Sequence, residues 1–162
     1  APFLYYGDEI GMAYRWLPTK EGGYHRTGSR TPMQWDNGRN LGFSTAEAGD
    51  LYLPVDPNPG NTTVESQEAD PASMLNHVRS VLALRRQEKD LGNYSSFSVY
   101  HAQEGDRLLA YKRGDLLLAV NPGLEGKTLA LDGAYEAIFT FGQAEVEGKT
   151  LTLGAQSFVV LK

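Results

Sequence analysis

The 162-residue chain contains no cysteine. Disulfides, thiolate nucleophiles and thiolate metal sites are thereby excluded. The compartment stays open, because many proteins in oxidising compartments also lack disulfides. No run of ~18 apolar residues occurs, so no helical membrane span is expected. Positive charge is in deficit, with fifteen Lys and Arg against twenty Asp and Glu and a formal charge of −5. That balance argues against nucleic acid or an anionic membrane as the main partner. His25, His77 and His101 are too scattered in sequence for a zinc set. Gly22, Gly23 and Gly28 lack the spacing of a phosphate loop and read as loop flexibility. The opening residues Ala1-Pro2-Phe3-Leu4-Tyr5-Tyr6 have neither the basic region nor the long apolar run of a signal peptide, and the expectation is a chain that starts inside a larger protein.

What is present is an ordinary apolar content of 41%, enough to bury a core. Phe3 to Tyr6 is a short apolar and aromatic run closed by Gly7, the pattern of a fully buried strand that needs neighbours on both sides. Residues 13–69 show no sustained period and read as one long connection, far beyond the usual loop length, of the kind that wraps a larger body or carries function. A helix is expected over 71–89. Asp70 is placed at its cap and Pro71 at its first position, Met74, Leu75, Val78, Val81 and Leu82 form its apolar stripe, and Arg85, Arg86 and Lys89 gather near its C-terminal end.

Beyond Tyr94 the pattern turns to short strands between turn residues. They are expected at 96–101, 107–113, 115–120, 127–131, 135–139, 149–153 and 157–161, which makes an all-β antiparallel sandwich. The domain boundary is placed at residues 90–93, giving units of 1–92 and 93–162.

Two segments carry a specific resemblance: Pro2-Phe3-Leu4-Tyr5-Tyr6-Gly7-Asp8-Glu9-Ile10-Gly11-Met12 and Ser29-Arg30-Thr31-Pro32-Met33-Gln34-Trp35-Asp36. Together they resemble the closing segments of the catalytic barrel in the α-amylase superfamily of glycoside hydrolases, in the branch of oligo-1,6-glucosidase, α-glucosidase and trehalose synthase. Gly42-Phe43-Ser44, Leu51-Tyr52-Leu53-Pro54, Asp70-Pro71-Ala72-Ser73 and Leu82-Ala83-Leu84-Arg85 fall in the same order. The resemblance implies the last βα unit of a TIM-type α/β barrel over 1–92, then a β-sandwich, domain C, over 93–162. The short connection from Met12 to Arg30 favours trehalose synthase or a short-loop α-glucosidase over oligo-1,6-glucosidase.

The resemblance also implies a retaining cleavage or transfer of α-linked glucose by two carboxyl groups ~5 Å apart. In the family these sit on earlier strands, so no catalytic residue is expected in this chain and the chain alone is expected to be inactive. The parent would take an α-glucoside or malto-oligosaccharide and would need the upstream barrel portion as partner, with neither cofactor nor metal. Asp8 and Glu9 leave the strand in different directions, so they do not suit the two faces of one bond. They read as structural, with a sugar contact as the other role for Asp8. Arg30 is the main substrate-binding candidate, since in exo-acting members the corresponding Arg reaches the terminal glucose. Its other reading is an ion pair with Asp8 or Asp36 that holds the loop. Tyr24 is placed at the entrance. Trp35 and Phe43 are read as pins of the long loop, and Asp56-Pro57-Asn58 as a turn rather than a calcium site. A different class of function, a carbohydrate-binding or structural β-sandwich module with an N-terminal arm, would show an exposed row of aromatics. Tyr94, Tyr100, Tyr111 and Tyr135 are too dispersed in sequence to establish one.

Overall fold

The computed structural model describes residues 3–19 and 25–162. They fall into two compact units, residues 1–82 and 83–162.

The second unit is built by strand pairing. Eight strands form it: β1 (Phe97–Ala102), β2 (Leu109–Arg113), β3 (Leu116–Asn121), β4 (Lys127–Ala130), β5 (Ala137–Phe141), β6 (Ala144–Glu147), β7 (Thr150–Leu153) and β8 (Ser157–Leu161). A five-stranded sheet runs in the order β1-β2-β3-β8-β5 and a three-stranded sheet in the order β4-β7-β6. All the pairings are antiparallel. Seven of the eight are the strands that alternation predicts. β6 escapes because only Ala144 and Val146 turn inward from it, between outward glutamates, and it lies on a sheet edge where charge discourages pairing with another chain.

β3 explains its own uninterrupted apolar run. Leu117 and Ala119 face Leu129, Leu151 and Leu153 of the smaller sheet, while Leu116 and Leu118 form a second cluster with Leu84 and Val160 on the outer face. A strand covered on both faces needs apolar residues at every position. The outer face stays apolar toward the β1 edge, where Phe97 and Val99 are 61% and 59% exposed. Asn121, fully buried at the end of β3, is satisfied on both sides: its Nδ2 donates to Glu125 O and Gly154 O at 2.8 and 2.6 Å, and its Oδ1 accepts Gly123 N–H at 3.0 Å.

Two charged clasps join the sheets. Asp106, in the β1–β2 turn, lies 2.9 Å from His101 Nε2 and 3.0 Å from Lys127 Nζ of β4. The two side-chain hydrogen bonds, from His101 first and Lys127 second, hold its carboxyl far below the usual carboxylate range. A depressed folded-state value stabilises the fold above the ordinary carboxylate range, and the contribution disappears as pH falls through the lower folded value. Asp106→Asn is therefore expected to lower the melting temperature at pH 7. The gap from the native chain should narrow from about pH 4 downward, as unfolded-state carboxylates begin to take up protons. Melting curves of both chains between pH 2 and 7 check this, and a gap that does not vary with pH would show that the clasp is not electrostatic. On the second clasp, Lys112 Nζ donates to Asp132 Oδ2 at 2.7 Å while its charge lies 5.3 and 5.8 Å from the ring centroids of Tyr100 and Tyr135.

The first unit differs more from expectation. No strand precedes Phe97 among the described residues, and Phe3 is 96% exposed. The predicted strand at the N-terminus is absent because its backbone groups have no neighbouring strand to pair with. The connection after it contains structure that period analysis passes over, including four 3-10 turns in the unit and a short helix, α1 (Val64–Glu68). Thr63 and Ser66 cap α1 reciprocally: the Thr63 hydroxyl accepts Ser66 N–H at 3.1 Å and Ser66 Oγ accepts Thr63 N–H at 3.2 Å. The main helix, α2, spans Met74–Gln87. At its start Ser73 Oγ accepts Asn76 N–H at 3.3 Å. Asp70 instead closes the preceding turn, accepting Ala72 N–H at 2.9 Å. Ile10, Met33 and Leu75 form the small core of this unit, with Met12 and Val64 packed on it. No helix among the described residues is long and apolar enough to cross a membrane.

Candidate functional site

The turn at Asp8–Ile10 lies between two left-handed glycines, Gly7 (φ 92°) and Gly11 (φ 67°). A side chain at Gly7 would be strained by this φ, and its Cβ would sit 2.6 Å from Met12 Sδ. The two acids of the turn are engaged by the backbone. Asp8 Oδ2 accepts Tyr5 N–H at 3.0 Å, and Glu9 Oε2 accepts Gly7 N–H at 2.8 Å. Carboxylates used in this way shape a turn.

Arg30 follows a turn at Thr27–Ser29 and donates its N–H to Thr27 O at 3.0 Å. The four residues after it, Thr31 to Gln34, are all buried. Three contacts hold the segment through Trp35 in place: Tyr6 OH donates to Thr31 O at 3.1 Å, and the first two amides of α1 reach back, Val64 N–H to Gln34 O at 3.0 Å and Glu65 N–H to Trp35 O at 2.9 Å. The Tyr6 phenol is pushed above its usual range, first by burial and then by neighbouring Tyr5, with the Arg30 charge opposing the rise. Arg30 and the Tyr5–Tyr6 pair, whose ring centroids are 4.6 Å apart, therefore share one electrostatic neighbourhood. Beside them is a cleft of about 90 Å³ lined by Tyr5, Tyr6, Asp8, Tyr14, Ser29 and Thr31, among others. Ordinary small-molecule pockets begin near ~300 Å³, so the cleft is too small to enclose a sugar by itself.

The rest of the long connection is folded closely on itself. Gly28 is an approach point more than a flexible link: a Cβ there would lie 1.6 Å from Arg15 O, and Arg15 N–H donates to Gly28 O at 3.1 Å. Arg15 in turn donates from its guanidinium to Val55 O at 2.6 Å and sits 3.8 Å from Asp56. Asp56 Oδ1 accepts Asn58 N–H at 3.1 Å, the Asx turn read from the sequence. After Asp36, whose Oδ1 accepts Gly38 N–H at 2.7 Å, the backbone enters the left-handed region at Asn40 (φ 52°) and Leu41 (φ 56°). For a leucine this conformation is costly, and strain of this kind is concentrated in functional loops. Asn40 holds it by donating from Nδ2 to Ser44 O and Ala46 O, each at 2.9 Å. Trp35 and Phe43, read as pins, are each 50% exposed. Tyr24 lies outside the described residues.

Sequence reasoning missed Gln67, which is bonded through both ends of its carboxamide. Nε2 donates to Ile10 O at 2.8 Å and also to Thr62 Oγ1, and Oε1 accepts Leu75 N–H at 2.8 Å. The Thr63-x-x-Ser66 spacing is the one local signal that marks α1 and with it Gln67.

In the sandwich, the tyrosines dispersed in sequence do not line up as a platform. Tyr100 and Tyr135 flank Lys112, Tyr111 lies against Phe97 with centroids 5.5 Å apart, and Tyr94 is fully exposed.

Residues 1–93 match the family model described as alpha amylase, catalytic domain. The trehalose synthase/amylase TreS of Mycobacterium tuberculosis is 40% identical over 136 residues, covering 75% of this chain and 21% of that protein. A probable oligo-1,6-glucosidase 2 of Bacillus subtilis is 34% identical over 119 residues, 56% of this chain and 21% of that protein. Among solved structures, the trehalulose synthase MutB of Pseudomonas mesoacidophila superposes over 99% of this chain and 35% of its own, with a TM-score of 0.80 at 22% identity. The chain thus spans about a fifth of the length of these two curated relatives.

Proposed function

Because this chain belongs to the α-amylase family, residues 1–93 matching that family's catalytic domain, we propose that it is the C-terminal portion of a retaining α-glucosidase-like enzyme. In this reading residues 1–92 are the closing part of the catalytic barrel with a long active-site loop, and residues 93–162 are domain C. The parent hydrolyses or transfers α-linked glucose, from an α-glucoside or a malto-oligosaccharide. The acid and the nucleophile come from the upstream barrel, and this chain contributes the wall that bears Arg30.

The observation that carries the reading is the anchoring of the Arg30 segment. The backbone on its C-terminal side is buried and tied at Thr31, Gln34 and Trp35, while Arg30 itself is half-buried beside a cleft with tyrosines in its lining. A planar fork of donors on a fixed backbone suits hydroxyl-rich or carboxylate partners. Asp8 is the second substrate-binding candidate, at the cleft, and Tyr24 the third. The names of the relatives add trehalose synthesis and oligo-1,6-glucoside cleavage as the two chemistries to separate. The alternative, a non-catalytic carbohydrate-binding or structural module, calls for an exposed row of aromatics, and the pairing of Tyr100 and Tyr135 with Lys112 supports the enzyme reading over it.

The full-length enzyme, incubated with maltose, isomaltose and 4-nitrophenyl α-glucoside and followed by chromatography of the products, tests the proposal. Glucose or an isomerised disaccharide of retained α configuration is expected. Inertness toward all three would sink it.

A further inference from the structure

Gln67 joins its own helix to two other segments, one of them 57 residues away in sequence. Its Nε2 donates to the carbonyl of Ile10, a residue only 1% exposed in the turn that lines the cleft, and its Oε1 accepts the amide of Leu75 at the start of α2. Its own backbone carbonyl accepts Ser73 Oγ at 2.7 Å and Asn76 Nδ2 at 3.0 Å. Gln67 lies on α1, and the first amides of α1 hold the carbonyls of Gln34 and Trp35. The turn at Asp8–Ile10 and the Arg30 segment are thus tied to one short helix, the first through a side chain and the second through the backbone. Tyr6 OH on Thr31 O closes the frame from the other side. A five-residue helix has little stability of its own, so its position depends on these ties.

We propose that Gln67 is the positioning residue of the Arg30 site: its carboxamide sets the distance between the Asp8–Ile10 turn and the Arg30 segment, and so the geometry in which Arg30 meets substrate. The proposal rests on the reading of Arg30 as a substrate contact. A carboxamide suits this joint because it offers a donor and an acceptor on one rigid plane. Leucine keeps the approximate size and offers neither. Glutamate keeps the acceptor for Leu75 N–H but turns a carboxylate toward Ile10 O, a repulsive contact that protonation converts back to a donor. Partial burial and the facing Ile10 carbonyl favour the protonated form, while the Thr62 hydroxyl, the other partner of Gln67 Nε2, can donate to the carboxylate and oppose them. Among the described residues no charged side chain faces Gln67 as a hydrogen-bond partner, and the carbonyl contact is expected to prevail.

The test uses the full-length enzyme and 4-nitrophenyl α-glucoside, at temperatures well below the melting point of every variant. Gln67→Leu is expected to lower kcat/KM about tenfold at all pH values, because both ends of the joint are lost while the surrounding contacts of α1 remain. Gln67→Glu is expected to show the same loss near neutral pH and to recover toward the wild-type ratio as the pH is lowered, whereas the leucine variant does not recover. In the Arg30→Lys background Gln67→Leu should cost less than about threefold, because residues acting as one unit are not additive. Full multiplication of the two losses, or wild-type kinetics in Gln67→Leu with only a lower melting temperature, overturns this proposal and leaves Arg30 standing. Wild-type kinetics in Arg30→Lys removes the reading of Arg30 and this proposal with it.

Discussion

Purified by itself, this chain is expected to release no nitrophenol from 4-nitrophenyl α-glucoside and no glucose from maltose. Retaining cleavage needs an acid on the leaving oxygen and a nucleophile on the opposite face of the sugar. The acid–base term alone is worth on the order of 10²–10⁴-fold, and loss of both groups leaves a rate indistinguishable from background over ordinary assay times. The acidic pair nearest the cleft has other work. Asp8 and Glu9 each accept a backbone N–H within their own turn, at 3.0 and 2.8 Å, which fixes the turn and takes up acceptor capacity. A tandem assay of the chain and of the full-length enzyme, prepared from a host lacking α-glucosidases, measures the difference. Turnover by the chain would mean that the reacting carboxylates lie within residues 1–162 and that the upstream assignment is wrong.

Arg30→Lys in the full-length enzyme carries the second large effect. Lysine keeps the charge and loses the planar fork, so a bidentate or shared contact to substrate is reduced to a single point. A charge-assisted hydrogen bond of this kind contributes about 1.5–3 kcal/mol, which predicts a fall of roughly ten- to a hundredfold in kcat/KM. Stability should change little, because the segment is held by its backbone carbonyls at residues 31, 34 and 35, none of which the substitution touches. Steady-state kinetics and a thermal melt on the same preparation separate the outcomes. Unchanged kinetics with a lower melting point would make Arg30 a structural ion-pair residue.

The exposure of Phe3 and Trp16 in the first unit fits the proposal that an upstream portion of the protein packs on that unit. Phe3 and Trp16 are 96% and 80% exposed, well beyond what scattered surface residues need. Under that reading the N-terminal run would become a strand when the upstream barrel supplies a neighbour.

Which parts of this protein its sequence determined follows from the range of the interactions involved. Strands β1 to β5, β7 and β8 were legible because side-chain pattern and turn residues act locally, whereas the covering of β3 on both faces is a tertiary fact. The Arg30 segment was legible as a motif. Only the tertiary structure decided the rest. Phe3 to Tyr6 has the composition of a buried strand, but a strand is completed by hydrogen bonds to neighbours, and a sequence does not say whether they are there. Asp70-Pro71 has the look of a helix cap, yet the cap went to Ser73, whose hydroxyl is also tied to Gln67 O, a contact made six residues away. Gly28 reads as a flexible link, and the close approach of Arg15 O that forbids a side chain there comes from folding the loop back on itself. The Thr63-x-x-Ser66 spacing marks the helix that carries Gln67, but nothing local marks Gln67 itself. Its two partners, Ile10 and Leu75, lie 57 residues upstream and 8 downstream, and a carboxamide acquires meaning only when folding brings a carbonyl and an amide to its two ends.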